Sequence, residues 1–200
     1  GEYRKIAEYI ARCVWQRQGN YMIFFPSYRL MEDVYQVYEE EFSVDWVRCI
    51  RQNSDMTEWE REEFLEEFQI REGTLVGFCV LGGIFSEGVD LTGERLIGAV
   101  IVGTGLPQIG SEREILKEYY DRRNHAGFDY AYRYPGMNKV LQAAGRVIRT
   151  KEDKGVILLL DERFLGRDYA EIFPQEWQDR SVCRLDTVEQ DLDVFWKRFT

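Results

Sequence analysis

Apolar residues recur along the chain in two rhythms. Between residues 2 and 18, Ile6, Ile10, Val14 and Trp15 fall on one side of a helical wheel and Arg4, Lys5, Glu8 and Arg12 fall elsewhere, which predicts an amphipathic helix. Gly19-Asn20 stops it. Met22-Ile23-Phe24-Phe25 is then a short uncharged run ending at Pro26, as a strand covered on both faces would be, and Met31, Val34, Tyr35 and Tyr38 restore the helical spacing. Runs at 75–81, 97–102 and 156–160 behave like the first strand, while 46–50 alternates with polar residues and predicts a fifth strand nearer an edge. Helical pattern returns over 57–69, 111–123, 137–149 and 185–199. Apolar strands alternating with helices imply a mostly parallel sheet between helix layers, so the predicted fold is an α/β three-layer sandwich. No repeat, low-complexity tract or Pro/Gly/Ser linker divides the chain, and residues 1–200 read as a single domain.

Composition narrows the function. The 200 residues are 44% hydrophobic and 14% aromatic, too rich in core-forming side chains for a disordered chain. No apolar run approaches the roughly 20 residues of a membrane span, so no membrane partner is expected. Lys and Arg number 26 against 36 Asp and Glu, a net charge of −10, which is the wrong sign for holding nucleic acid by bulk attraction. Any such binding must rest on local patches. Cys13, Cys49, Cys79 and Cys183 stand far apart without a C-x-x-C pair, and His125 is the single histidine, so no metal site is expected and a reduced, cytoplasmic setting is.

In parallel α/β folds, binding groups collect past the carboxyl ends of the strands. After the 75–81 strand comes Gly82-Gly83-Ile84-Phe85-Ser86-Glu87-Gly88-Val89-Asp90-Leu91, a glycine-rich connector that offers a hydroxyl and two carboxylates to a polar ligand. Further on, Gln142-Ala143-Ala144-Gly145-Arg146-Val147-Ile148-Arg149 reads as helical, with spacings of four and seven that set Gln142, Arg146 and Arg149 on one face. Between residues 130 and 151 lie Arg133, Lys139, Arg146, Arg149 and Lys151 and no acid, a local reversal of charge that suits phosphate. Phe25-Pro26-Ser27-Tyr28 leaves a hydroxyl and a ring at the end of the first strand. Asp161-Glu162 also ends an apolar strand, but without a G-x-x-x-x-G-K-[ST] phosphate cradle it reads as a strand end and not as a magnesium site. Residues 56–72, with seven Glu against two Arg, read as a solvated acidic face with Trp59, Phe64, Leu65 and Phe68 turned inward.

In this order and at these distances the segments resemble the later motifs of superfamily 2 helicases, most closely the XPD/DinG family. Residues 22–28 are similar to motif IV, residues 83–96 with their F-S-E-G-V-D-L core to motif V, and Gln142 to Arg149 to motif VI, Q-A-x-G-R-x-I-R; Thr104-Gly105-Leu106-Pro107 matches the family's G-L-P. The resemblance implies a RecA-like, P-loop NTPase-like second motor domain of an ATP-dependent DNA helicase acting in repair or replication. The partners implied are single-stranded DNA and an N-terminal motor domain absent from this chain, which would hold ATP and Mg²⁺. An iron–sulfur cluster would also belong to that first half. The resemblance gives Arg146, Arg149 and Gln142 catalytic roles, with Arg146 as arginine finger, and sets Gly88, Asp90 and Glu87 near the nucleotide. Ser27, Tyr28, Phe85 and Ser86 would touch the single strand. Read from the residues alone, the rival is a non-catalytic α/β module that grips phosphate or nucleic acid through the basic stretch.

Overall fold

The computed structural model describes residues 1–69, 72–85 and 96–200. Five parallel strands form one sheet: β1 (Asn20–Phe25), β2 (Val47–Arg51), β3 (Thr74–Val80), β4 (Gly98–Val102) and β5 (Val156–Leu160), in the order β2-β3-β1-β4-β5. The register runs Phe24 opposite Cys79 on one side and opposite Ile101 on the other. The central strands β1 and β4 are buried at every position, as their uninterrupted apolar sequences require, whereas β2 is only partly covered and lies at an edge as its alternation foretells.

Side chains of period two divide the core. Tyr21, Ile23, Phe25, Val76, Phe78, Val100 and Val102 face a layer made by α1 (Glu2–Val14), α2 (Tyr28–Glu41) and, near the C-terminus, α7 (Val188–Lys197). Met22, Phe24, Leu75, Cys79, Ala99 and Ile101 face the other layer, built from α3 (Glu58–Glu66) and α5 (Tyr134–Ala144), with Phe164, Tyr169 and Phe173 from the segment around the short α6 (Arg167–Ala170). The remaining helix, α4 (Ser111–Asn124), buries no residue and lies beside the π-helical turn Asp129–Arg133.

Helix boundaries follow local chemistry. Ser27 caps α2 by accepting from the Leu30 N–H, and Thr57 with Glu60 forms a capping box on α3. The pattern over 57–69 is α-helical to Glu66 and then tightens to 3₁₀ through Gln69. Two expectations are corrected here. Trp59 is 65% exposed, because the apolar face of α3 is too narrow to turn a residue so near the start inward, and only Phe64 of that helix is buried. The helix predicted over 137–149 begins earlier, at Tyr134, and ends at Ala144, where Gly145 turns the chain.

The start of α5 is fixed by a contact between backbones. A Cβ on Gly136 would stand 2.8 Å from the Thr104 carbonyl oxygen and 3.1 Å from the Gly105 carbonyl carbon and the Leu106 nitrogen, so the loop after β4 rests directly on the helix. Gly105 itself has φ +68, and a Cβ there would meet the Gly136 oxygen at 2.7 Å. Gly136→Ala is therefore expected to destabilise the fold by about 1–3 kcal/mol through overpacking. Asn138→Ala, an exposed change on the same helix, should cost almost nothing; urea unfolding of the two variants checks the difference.

Candidate functional site

The motif-bearing residues divide between the two edges of the sheet. α5 runs antiparallel to the strands, from Gly136 at the carboxyl end of β4 down to a turn at the amino ends of β4 and β5. That turn is located by Val147, whose Cγ1 would be 2.3 Å from a Cβ on Gly155, a glycine that also lies against Ile97. The 11 residues of α5 cover about 16 Å, the thickness of the sheet along its strands.

Gln142 is exposed in the last turn of α5. Beyond the helix, Arg146 and Val147 donate their N–H groups to Ala143 and Ala144 at 3.2 and 3.1 Å, and the chain then leaves helical geometry. The single helix face expected for Gln142, Arg146 and Arg149 is thus corrected: Gly145 ends the helix, Arg146 is buried and Arg149 is exposed on the segment that follows. One acid organises that segment. The Asp153 carboxylate accepts the backbone N–H groups of Thr150 and Arg149, both at 2.8 Å. Those bonds, Thr150 first, hold its carboxyl below the ordinary aspartate value, with the Arg149 charge adding to them.

The other group lies past the carboxyl ends of the strands. Ser27 and Tyr28 open α2 at the end of β1. Tyr28 is half-buried, and its hydroxyl accepts from the Gln52 Nε2 at 2.9 Å, while Gln52 Oε1 accepts from the Val80 N–H at 2.9 Å. Gln52 is only 2% exposed and thereby joins the ends of β1, β2 and β3. Burial pushes the Tyr28 phenol above its ordinary value, Asp55 adds to this and Arg61 opposes it. Nothing in the sequence marks Gln52, since a lone glutamine after an edge strand has no periodic or motif signature.

Phe85 needs correction. Its ring is 1% exposed and stacked on Phe64 with centroids 4.4 Å apart, so it belongs to the core and has no face for a base. Ser86, Glu87, Gly88 and Asp90 lie outside the described residues. Of the basic stretch, Arg133 is bound to Asp129 and to Asp168 and braces the π-helical turn. Asp161 caps the turn after β5 through the Arg163 N–H at 2.9 Å and pairs with the Arg163 guanidinium at 2.7 Å, the strand-end role its sequence context indicates. His125 ends α4 in the left-handed conformation. Among the described residues no helix is long and apolar enough to cross a membrane.

Comparison with known proteins fits this geometry. The family model for the helicase C-terminal domain matches residues 10–180. The regulator of telomere elongation helicase 1 homolog of Caenorhabditis elegans is 26% identical over 91% of this chain and 20% of its own length. The Aedes aegypti homolog is 30% identical over 73% of this chain and 16% of its own. A probable ATP-dependent helicase of Methanocaldococcus jannaschii is 29% identical over 73% of this chain and 24% of its own. An XPD helicase structure superposes with a TM-score of 0.67 at 22% identity over 84% of this chain and 29% of that one, and an apo XPD structure with 0.66. These structures share the RecA-like fold. The chain spans about a fifth of the length of the curated relatives it matches.

The Asp153 turn carries a pH signature. A carboxyl depressed in the folded state stabilises above its unfolded value and loses that contribution as pH falls through the folded one. In an NMR titration, Asp153 is expected to protonate below its ordinary value of 3.8, and the Arg149 and Thr150 amides to lose protection only through that lower range. An ordinary titration would contradict the clamp.

Proposed function

The chain belongs to the helicase C-terminal domain family, and from that premise we propose that it is the second motor domain of an ATP-dependent DNA helicase of the XPD/DinG branch of superfamily 2, supplying the arginine finger and part of the single-strand track. The observation that supports this reading is the turn after α5. It brings a buried guanidinium, Arg146, and an exposed one, Arg149, to the amino edge of β4 and β5, with the backbone held by Val147 against Gly155 and by Asp153. Groups that must meet a transition state act best when their position is settled before reaction.

The triphosphate lies between this edge and a first motor domain. As water attacks the γ-phosphorus and the bond to the bridging oxygen breaks, Arg146 neutralises the charge that develops, Arg149 contributes a second positive group and Gln142 orients a polar oxygen beside them. The guanidinium and amide groups at this edge suit phosphate oxygens, and among the described residues no group of three or more His, Cys, Asp or Glu side chains could hold a metal ion. Mg²⁺, which would neutralise phosphate charge when bound, is therefore assigned with the main phosphate contacts to the first domain. Gly88, Asp90 and Glu87 complete the nucleotide side of this reading. At the carboxyl edge, Ser27 and Tyr28 serve the single strand, hydroxyls toward phosphate and the Tyr28 ring toward a base, and the same reading gives the Ser86 hydroxyl to phosphate.

Steady-state kinetics of the full-length protein test the assignment. Arg146→Ala is expected to leave the KM for ATP nearly unchanged and to lower kcat by about 10³-fold or more. Residues 1–200 alone should show negligible DNA-stimulated hydrolysis. Robust turnover by the isolated chain refutes the half-motor reading, and tight phosphate or nucleic-acid binding by it without hydrolysis in the full-length protein favours a free-standing binding module.

A further inference from the structure

Many cations among the described residues are already paired. Among the described residues, the guanidiniums of Arg4, Arg12, Arg48, Arg51 and Arg163 each reach a carboxylate within 3.1 Å. Two basic groups at the carboxyl edge are not bound in this way. Lys139 enters no ion pair among the described residues, although it is half-buried and its stem lies along the backbone just past β3. A Cβ on Gly82 would meet its Cδ at 2.9 Å, its Cε at 3.0 Å and its Nζ at 3.4 Å, and Gly82 has φ +72. Any other residue there would both strain the backbone and displace the lysine. Arg61 reaches only Glu58, at 3.9 Å on a glutamate that is 84% exposed, and its Nε is buried with no hydrogen-bond partner.

Both groups converge on the Gln52 bridge. Lys139 meets the edge at Gly82, next to Gly83, where a Cβ would be 3.5 Å from Gln52 Nε2. Arg61 stands in the first half of α3, the helix that follows β2 and Gln52, and its charge opposes the rise of the Tyr28 phenol. Of the nearby acids, Asp55 acts on Tyr28, Glu58 is loosely held, and Glu60 is occupied by the Thr57 N–H and hydroxyl at 2.6 and 2.9 Å. A half-buried ammonium and an under-satisfied guanidinium beside an immobilised tyrosine form the combination that a flexible polyanion with flat bases can use.

We infer that Lys139 and Arg61 are phosphate contacts for a single-stranded nucleic acid crossing the carboxyl edge of the sheet, and that Gln52 is the positioning residue that fixes the Tyr28 ring there for a base. This rests on the reading of that edge as a single-strand track and adds three residues that neither motif IV nor motif V contains. Arg61 comes from the acidic helix α3, which sequence alone would steer a nucleic acid away from.

The test is fluorescence anisotropy of a labelled oligothymidylate on the full-length protein across a salt series. Removing one phosphate-binding cation should lower the slope of log K against log salt by about 0.7. Lys139→Ala and Arg61→Ala should each weaken binding about tenfold at low salt, and the double variant should lose both increments of slope. Gln52→Ala should weaken binding without altering the slope, because it frees a ring and removes no charge. Arg198→Ala removes the same charge at the far end of the chain and should leave the slope unaltered; matching unfolding midpoints confirm that the charge variants fold. An unchanged slope in the double variant overturns the inference while leaving the track reading intact. Absence of oligonucleotide binding by the unsubstituted protein overturns both.

Discussion

The arrangement depends on one helix held at both ends by contacts with no room for a side chain. At its start, the backbone of Gly136 rests on Thr104 and Gly105; just past its end, Val147 fills the space over Gly155. Interiors are packed densely enough that a Cβ at either place must move the helix or the strands, so the position of α5 is tightly constrained. That constraint links the two edges of the sheet, because Lys139 reaches the carboxyl edge from the middle of α5 and Arg146 emerges at the amino edge beyond it. Displacing the helix would shift both groups together.

Separating the edges reconciles a net charge of −10 with the proposed partnership with two polyanions. The carboxylates are not cleared from the molecule. Many are tied to arginines, to capping N–H groups or, in the case of Asp153, to the turn that presents Arg149. Salt screens exposed charges over about 8–10 Å, so a surface that is acidic on average can still display local cationic points. The buried Arg146 is screened less than the exposed Arg149, which suits the first to charge stabilisation and the second to a secondary contact.

Much of the fold was legible in the sequence because its signals are strong and local. Uncharged runs such as Met22 to Phe25 mark strands, and the alternation near Val47 marked an edge, whereas the equally apolar run at 156–160 forms the other edge and is only half-buried after Val156. Motifs carried the family. Where the reading departed from the structure, the cause was tertiary. Periodicity carried the helix through Gly145 because a helical pattern of Arg and apolar residues looks the same whether or not the backbone continues. Phe85 resembled a stacking ring because its burial depends on Phe64, some twenty residues earlier in the chain. Gln52 and Arg61 carried no signature, and Lys139 stood out only as one cation of the basic stretch, since each gains its place from neighbours that only folding supplies.

The claim that two chemistries occupy opposite edges is most directly tested by photocrosslinking followed by peptide mapping. Full-length protein would be labelled once with a photoactivatable ATP analogue and once with an oligonucleotide carrying a photoactivatable pyrimidine. Nucleotide adducts are expected on the peptide that contains Arg146 and Arg149, and oligonucleotide adducts on the peptide that contains Ser27 and Tyr28. Both labels on one peptide, or the two exchanged, would contradict the account.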